Sequence, residues 1–138
     1  MENNQDSKSA KTRFSFKKEE RLCSKKQYEK LFSEGTSFLV YPLKVVYTEI
    51  DFNGPFPAKA AFAVSKRLFK KAVRRNLIKR RMREAYRLNK HVLYSNEITS
   101  KKAVIFIYIG KEILEYQTIE KAMKRSIALL VKSTIPNP

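Results

Sequence analysis

Residues Lys66–Lys90 read KRLFKKAVRRNLIKRRMREAYRLNK, with twelve lysines and arginines against a single acid, Glu84. At about 100° per residue, Arg75, Asn76, Lys79, Arg80, Arg83, Arg87 and Lys90 fall within one arc of roughly 140° on a helical wheel. Val73, Leu77, Ile78, Met82, Ala85, Leu88 and Val92 occupy the opposite half-turn. Such a helix packs its oily side on a core and presents the guanidinium-rich side outward. The pattern predicts a long helix over 70–92, docked on a sheet and poised to meet a polyanion.

Working outward, Ala58–Ser65 (AKAAFAVS) is a strand that runs straight into the basic segment, and Ala103–Ile109 (AVIFIYI) is the strongest strand pattern in the chain. The continuous apolarity of the latter predicts a central position, covered on both faces or nearly so. Phe38–Tyr41 and Leu43–Ile50 are rich in β-branched and aromatic residues, with a break at Pro42. Asn53, Gly54, Pro55 and Pro57 make a turn cluster. Upstream, Ser24 is placed to cap a short helix, with Gln27 at the reciprocal capping-box position and Gly35 after its last turn. Tyr28, Leu31 and Phe32 share one face of that helix. A final helix is expected at about 118–132. The order α-β-β-(β)-α-β-α makes a single-domain α+β sandwich, with a crossover around the basic helix that the general rule would make right-handed. Residues 1–20 read as a polar, basic arm, 1–12 being a flexible tail and 13–20 a stretch able to dock. The expected domain runs over 21–133, followed by a tail at 134–138.

Composition narrows the chemistry. The chain has 138 residues and a formal net charge of +17, with 43% hydrophobic residues, nine Phe and seven Tyr. That apolar and aromatic content belongs to a folded domain and not to a disordered basic tail. No apolar run approaches the roughly 20 residues that span a bilayer, and the N-terminal stretch lacks the hydrophobic segment of a secretory signal. One cysteine, Cys23, excludes an internal disulfide and fits a reducing compartment, so a cytoplasmic protein is expected. One histidine and one cysteine cannot make a conventional zinc site. Two aspartates and scattered glutamates do not suggest the converging carboxylates of a two-metal nuclease. Three glycines leave no glycine-rich phosphate loop. Any bond-breaking around this protein is expected to be done by something other than its own side chains.

Arg75-Asn76-Leu77-Ile78-Lys79-Arg80, followed by Arg83-Glu84, closely resembles the signature of the protein subunit of bacterial ribonuclease P. Residues 21–37, RLCSKKQYEKLFSEGTS, look like that family's first helix, with its Arg-Leu start, spaced aromatics and Gly-Thr-Ser ending. The strand leading into Ser65-Lys66-Arg67 fits as well, so the resemblance covers about 20–132 in order. Leu77 departs from the pattern, standing where the signature has its middle arginine, and the wheel places it in the apolar arc. The resemblance implies an α-β sandwich with a left-handed crossover around the signature helix, against the general rule. It also implies a ribonucleoprotein in which an RNA is the catalyst, assisted by Mg²⁺ held mainly by that RNA. The small protein would help to remove the 5′ leader of precursor tRNA, with no membrane and no protein partner required.

Two RNA surfaces follow from that resemblance. Arg75, Lys79, Arg80 and Arg83 are expected to grip phosphates of the catalytic RNA, since a guanidinium can hold two phosphate oxygens at once. Lys66 and Arg67, at the strand exit, join them. Asn76 could bond a phosphate, a sugar hydroxyl or a base edge, or it could anchor a neighbouring loop. Tyr28 and Phe32, by spacing alone, read as core; the resemblance moves Tyr28 toward a cleft for the single-stranded leader and leaves Phe32 shared. Tyr47 and Phe62 are further candidates for that cleft, and Lys44 adds charge there. Glu84 is expected to pair with a cation on its own helix, His91 to sit near a helix end, and Cys23 to be a small residue entering the first helix. A ribosomal or RNA-chaperone protein would explain the charge without a processing role, but would have no reason to carry the 21–37 match. A DNA-reading helix would offer a few specific side chains instead of a guanidinium row. Membrane-surface binding would need the face that the core uses.

Overall fold

Alternation along four strands decides which residues meet which helices. The computed structural model describes residues 16–134 except 53, 55 and 96–100. The expected tail at 1–12, the first part of the arm, and two members of the turn cluster, Asn53 and Pro55, lie outside these residues. The elements are α1 (Lys25–Glu34), β1 (Thr36–Val40), β2 (Leu43–Glu49), β3 (Ala58–Val64), α2 (Ala72–Asn89), α3 (His91–Ser95), β4 (Lys102–Tyr108) and α4 (Tyr116–Thr134). The sheet order is β1-β2-β4-β3, with β1-β2 and β2-β4 antiparallel and β3-β4 parallel. The apolar run of β4 is therefore central, as its sequence demands, and β3 is an edge strand joined to β4 through α2 and α3.

One face of the sheet carries Val45, Ala60, Val104 and Phe106, packed with Ile78, Met82 and Ala85 of α2 and Ile119, Met123 and Ile127 of α4. The other face carries Val46, Ala103 and Ile105, covered by Leu31 of α1 and by Leu22. Helices thus lie on both sides, but one short helix covers the second face and leaves part of it open. The backbone of α1 comes very close to β2 at its end. A Cβ on Gly35 would lie 2.8 Å from Val46 Cγ1 and 2.1 Å from the Leu31 carbonyl oxygen, so only glycine fits there. At its start, Ser24 Oγ accepts a hydrogen bond from Gln27 N. The return half of the expected capping box is absent, because Gln27 Oε1 is buried without a partner.

The basic helix is shorter than its periodicity suggests. It ends at Asn89 and restarts as α3 at His91. Asn89 Nδ2 donates to the Ala85 carbonyl and to Glu120 Oε2, tying this end to α4. Lys90, expected on the charged arc, is only 2% exposed and forms an ion pair with Glu20, which is 1% exposed. Tyr94 also donates to Glu20, and the Lys17 backbone N–H donates to its second oxygen at 2.8 Å. This buried network draws residues 17–20 of the expected arm onto the end of α2. Phe16 joins them, its ring edge-on to Phe62 and Tyr86 at 5.7 Å from each. Val73, assigned to the apolar arc, is 80% exposed because the first turn of α2 projects beyond the sheet. Among the described residues no helix is long and apolar enough to cross a membrane.

Candidate nucleic-acid interface

On α2, Asn76, Arg80 and Arg83 lie at i, i+4 and i+7 and are exposed, with Lys79 half-buried beside them. The stripe spans roughly 10 Å at 1.5 Å per residue. Among the described residues these four side chains have neither a hydrogen-bond nor an ion-pair partner. A partner-free row of cations keeps its full field for an outside anion. Its two ends are different. Arg75 is half-buried, and its Nη1 donates to the carbonyls of Phe69 and Lys70 at 2.7 and 2.8 Å. It therefore fixes the loop that presents Lys66 and Arg67, both exposed. At the other end Glu84 holds Arg87 by two hydrogen bonds. That contact lowers the Glu84 carboxyl pKa against the opposing effect of burial and raises that of Arg87. The free row ends at Arg83.

Arg83 is also one wall of a groove of about 230 Å³ that wraps around the β3 edge. From the α2 side come Phe62 and Phe16; from the α1 side come Tyr28, Cys23, Leu22 and Ala61, with Ala60 and Arg21 along the edge itself. The groove exists because Arg21 pairs with Ala60 as an isolated parallel bridge, with Leu22 N donating to Ala60 O. That bridge covers part of the open strand edge and carries the chain across it. The alanines of β3 leave the floor shallow. Burial, and then the nearby Cys23, raise the Tyr28 hydroxyl pKa, so its proton stays on through neutral pH.

Tyr28 and Phe62 meet in this groove although they stand on opposite faces of the sheet. Phe62 stacks on Phe106 at 5.6 Å and shows its rim to the groove, which is possible only at an edge strand. Phe32 is 61% exposed and stacks on Tyr28 at 6.5 Å, extending the aromatic surface along α1. Lys44 is exposed on the α1 side, in a cross-sheet row with Leu39 and Ile107. Tyr47 does not join them. It packs on the α2–α4 face, 5.9 Å from Phe38, with Lys102 Nζ over its ring. The physical reason is the two-residue period of a strand, which puts Lys44 and Tyr47 on opposite faces. Sequence reasoning missed Phe16, Arg21 and Ala61. It also missed Arg81, whose Nη1 donates to the Leu114 carbonyl and so holds α2 against the approach to α4.

Comparisons with known proteins agree with this architecture. A family model described as Ribonuclease P matches residues 16–131. The chain is 34% identical over 128 residues to the ribonuclease P protein component of Porphyromonas gingivalis, covering 90% of this chain and 91% of that one. It is 36% identical over 102 residues to the same component of Desulfosudis oleivorans, covering 67% and 77%. The solved RNase P protein of Thermotoga maritima superposes with a TM-score of 0.62 at 24% identity, over 86% of this chain and 99% of that one. The Staphylococcus aureus RNase P protein gives 0.60 at 20% identity, over 84% and 98%. At those identities the two structures speak for a shared fold.

Proposed function

The chain belongs to the ribonuclease P protein family, and from that premise we propose that its groove holds the 5′ leader of precursor tRNA while its free cationic row holds the catalytic RNA. Membership makes it the protein component of ribonuclease P, an RNA-binding subunit that takes part in tRNA 5′ processing. The observation that carries the finer reading is Arg83. It stands both in the partner-free row and in the wall of the groove lined by Tyr28 and Phe62. One continuous surface therefore offers phosphate-binding cations at one end and stacking rings at the other.

Phosphates of two RNAs repel at close range. Cations between them lower that repulsion and release counterions, which strengthens association in a salt-dependent way. Rings in a shallow groove add base stacking that every nucleotide can make, so a leader is held without sequence readout. Bond cleavage belongs, in this reading, to the RNA subunit, in the cytoplasm and with Mg²⁺. Among the described residues no group of three or more His, Cys, Asp or Glu gathers to hold an ion. The protein's part is to bind and orient the two RNAs.

The test is reconstitution with the organism's own catalytic RNA at low Mg²⁺, scoring cleavage and binding with and without this chain. The expected result is cleavage that depends on the protein, with leader-bearing precursor bound more tightly and mature tRNA little changed. Equal strengthening of both RNAs would remove the leader from the groove.

A further inference from the structure

A second groove, of about 380 Å³, lies at the opposite edge of the sheet between the β1–β2 turn and α4. It is lined by Val40, Tyr41, Thr118, Lys121, Ala122 and Arg125. We propose that it binds single-stranded RNA, with a base stacked on Tyr41 and the adjoining phosphates held by Lys121 and Arg125. The site goes beyond the leader groove and does not depend on where the leader binds.

Tyr41 is 67% exposed, so its ring is open to a stacking partner. Thr118, Lys121, Ala122 and Arg125 follow at i, i+3, i+4 and i+7, so they form one stripe on α4 facing the turn. Ala122 is buried and short, which makes the floor; Lys121 and Arg125 are exposed on either side of it. Among the described residues neither cation has a carboxylate partner. Lys124 and Lys132 are also exposed, and the one acid within the described surface of this helix, Glu120, is taken up by Asn89 and Tyr116. The exposed acids Glu112 and Glu115 precede the helix. The occupant is therefore an anion with a flat apolar part. A volume of this size falls in the range of small-ligand sites, and an exposed ring beside two cations suits a nucleotide, whose flat base stacks on the ring while its phosphates meet the cations.

Strand order separates this groove from the first. Tyr41 follows β1 at one edge and the leader groove wraps β3 at the other, three inter-strand spacings away, or roughly 14 Å. A nucleotide at Tyr41 is thus a separate contact and not an extension of the Tyr28 stack.

The test is photo-crosslinking with RNA containing 4-thiouridine, mapped by peptide mass spectrometry on the full chain. Three RNAs are used: a ten-nucleotide oligouridylate with the protein alone, the catalytic RNA in the assembled complex, and precursor carrying the label in its leader. Crosslinks to Tyr41 or to the 118–125 stripe are expected from the oligonucleotide and from one of the two natural RNAs, which identifies the source. They should survive Tyr28→Ala. They should fall about tenfold in Lys121→Gln/Arg125→Gln, less than about threefold in Lys124→Gln/Lys132→Gln, and be restored in Tyr41→Phe after loss in Tyr41→Ala. Equal effects of the two double substitutions would reduce the groove to general charge and overturn the site. So would the absence of these crosslinks from both natural RNAs. A chain that supports cleavage yet shows no Tyr41 crosslink loses this inference and keeps its function.

Discussion

The middle and the far end of α2 use the same residue types for opposite purposes. In its middle, Asn76, Lys79, Arg80 and Arg83 face outward with no partner among the described residues. At its end, Arg87 is held by Glu84 and Lys90 is buried on Glu20, a residue 70 positions away. Free cations cost the fold little, because water solvates them, and they gain by meeting RNA. A buried cation gains nothing from RNA, and burial pulls its pKa down against the carboxylate that pulls it up. Positive charge on this helix is a binding device in its middle and an architectural lock at its end.

Breaking the lock gives the largest expected effect. Lys90→Ala leaves the Glu20 carboxylate buried and unpaired, so stability should fall by about 3–5 kcal/mol in urea denaturation followed by circular dichroism. Glu20→Gln/Lys90→Met, which removes both charges, keeps an amide oxygen for the Lys17 N–H and lets the Tyr94 hydroxyl turn to accept from the amide NH2, should recover at least half of that loss. A loss under about 1 kcal/mol, the range of exposed pairs, would make the middle and the end of the helix alike. In the free row, Arg80→Gln/Arg83→Gln should leave stability unchanged. It should lower the slope of log affinity for the catalytic RNA against log salt by about 2, a deficit of roughly 40-fold at 0.15 M that closes near 1 M. A deficit that persists at high salt would mean that these residues hold shape and not phosphates.

The groove should respond more modestly. Tyr28→Ala is expected to weaken binding of leader-bearing precursor by about 1–2 kcal/mol, with Tyr28→Phe close to wild type. Because the hydroxyl keeps its proton, the Tyr28 contribution should be flat between pH 6 and 9; a step in that window would contradict stacking. The smallest effect is at Glu84. Its carboxyl pKa is depressed by Arg87, so its contribution is complete above the unfolded value of about 4.3 and is lost as pH falls through the folded one. Both side chains are partly solvated, so Glu84→Gln should cost no more than about 0.5 kcal/mol at pH 7, and less as the medium is acidified below the unfolded value, in the same denaturation measurement.

Much of this was readable before folding, and the exceptions have specific causes. The apolar run from Ala103 to Ile109 announces a strand covered on both faces, and Ser24 and Gly35 mark the ends of α1. The stripe through Asn76, Arg80 and Arg83 is visible on a wheel. Even the exclusion of Tyr47 from the Lys44 surface was legible, since residues three apart on a strand cannot share a face. Phe62 is different: its parity puts it with the α2 core, and it reaches the groove only because β3 is an edge. Lys90 continues the charged arc by every local measure, and Phe16 and Arg21 sit in a stretch with no periodicity to place them.

What the sequence determined by itself was the three long helices and the four strands, the sign of the charge, and the family, since all three rest on spacings of a few residues and on side chains read in order. The tertiary structure decided where those pieces meet: β3 at the edge, the aromatic groove bent around it, Lys90 withdrawn from the charged row, and Tyr41 left standing over α4. Local periodicity follows from backbone geometry that every short segment carries. Strand order, and the choice of which cation loses its water, depend on contacts between residues far apart in the chain, and those come into being only when the whole domain packs.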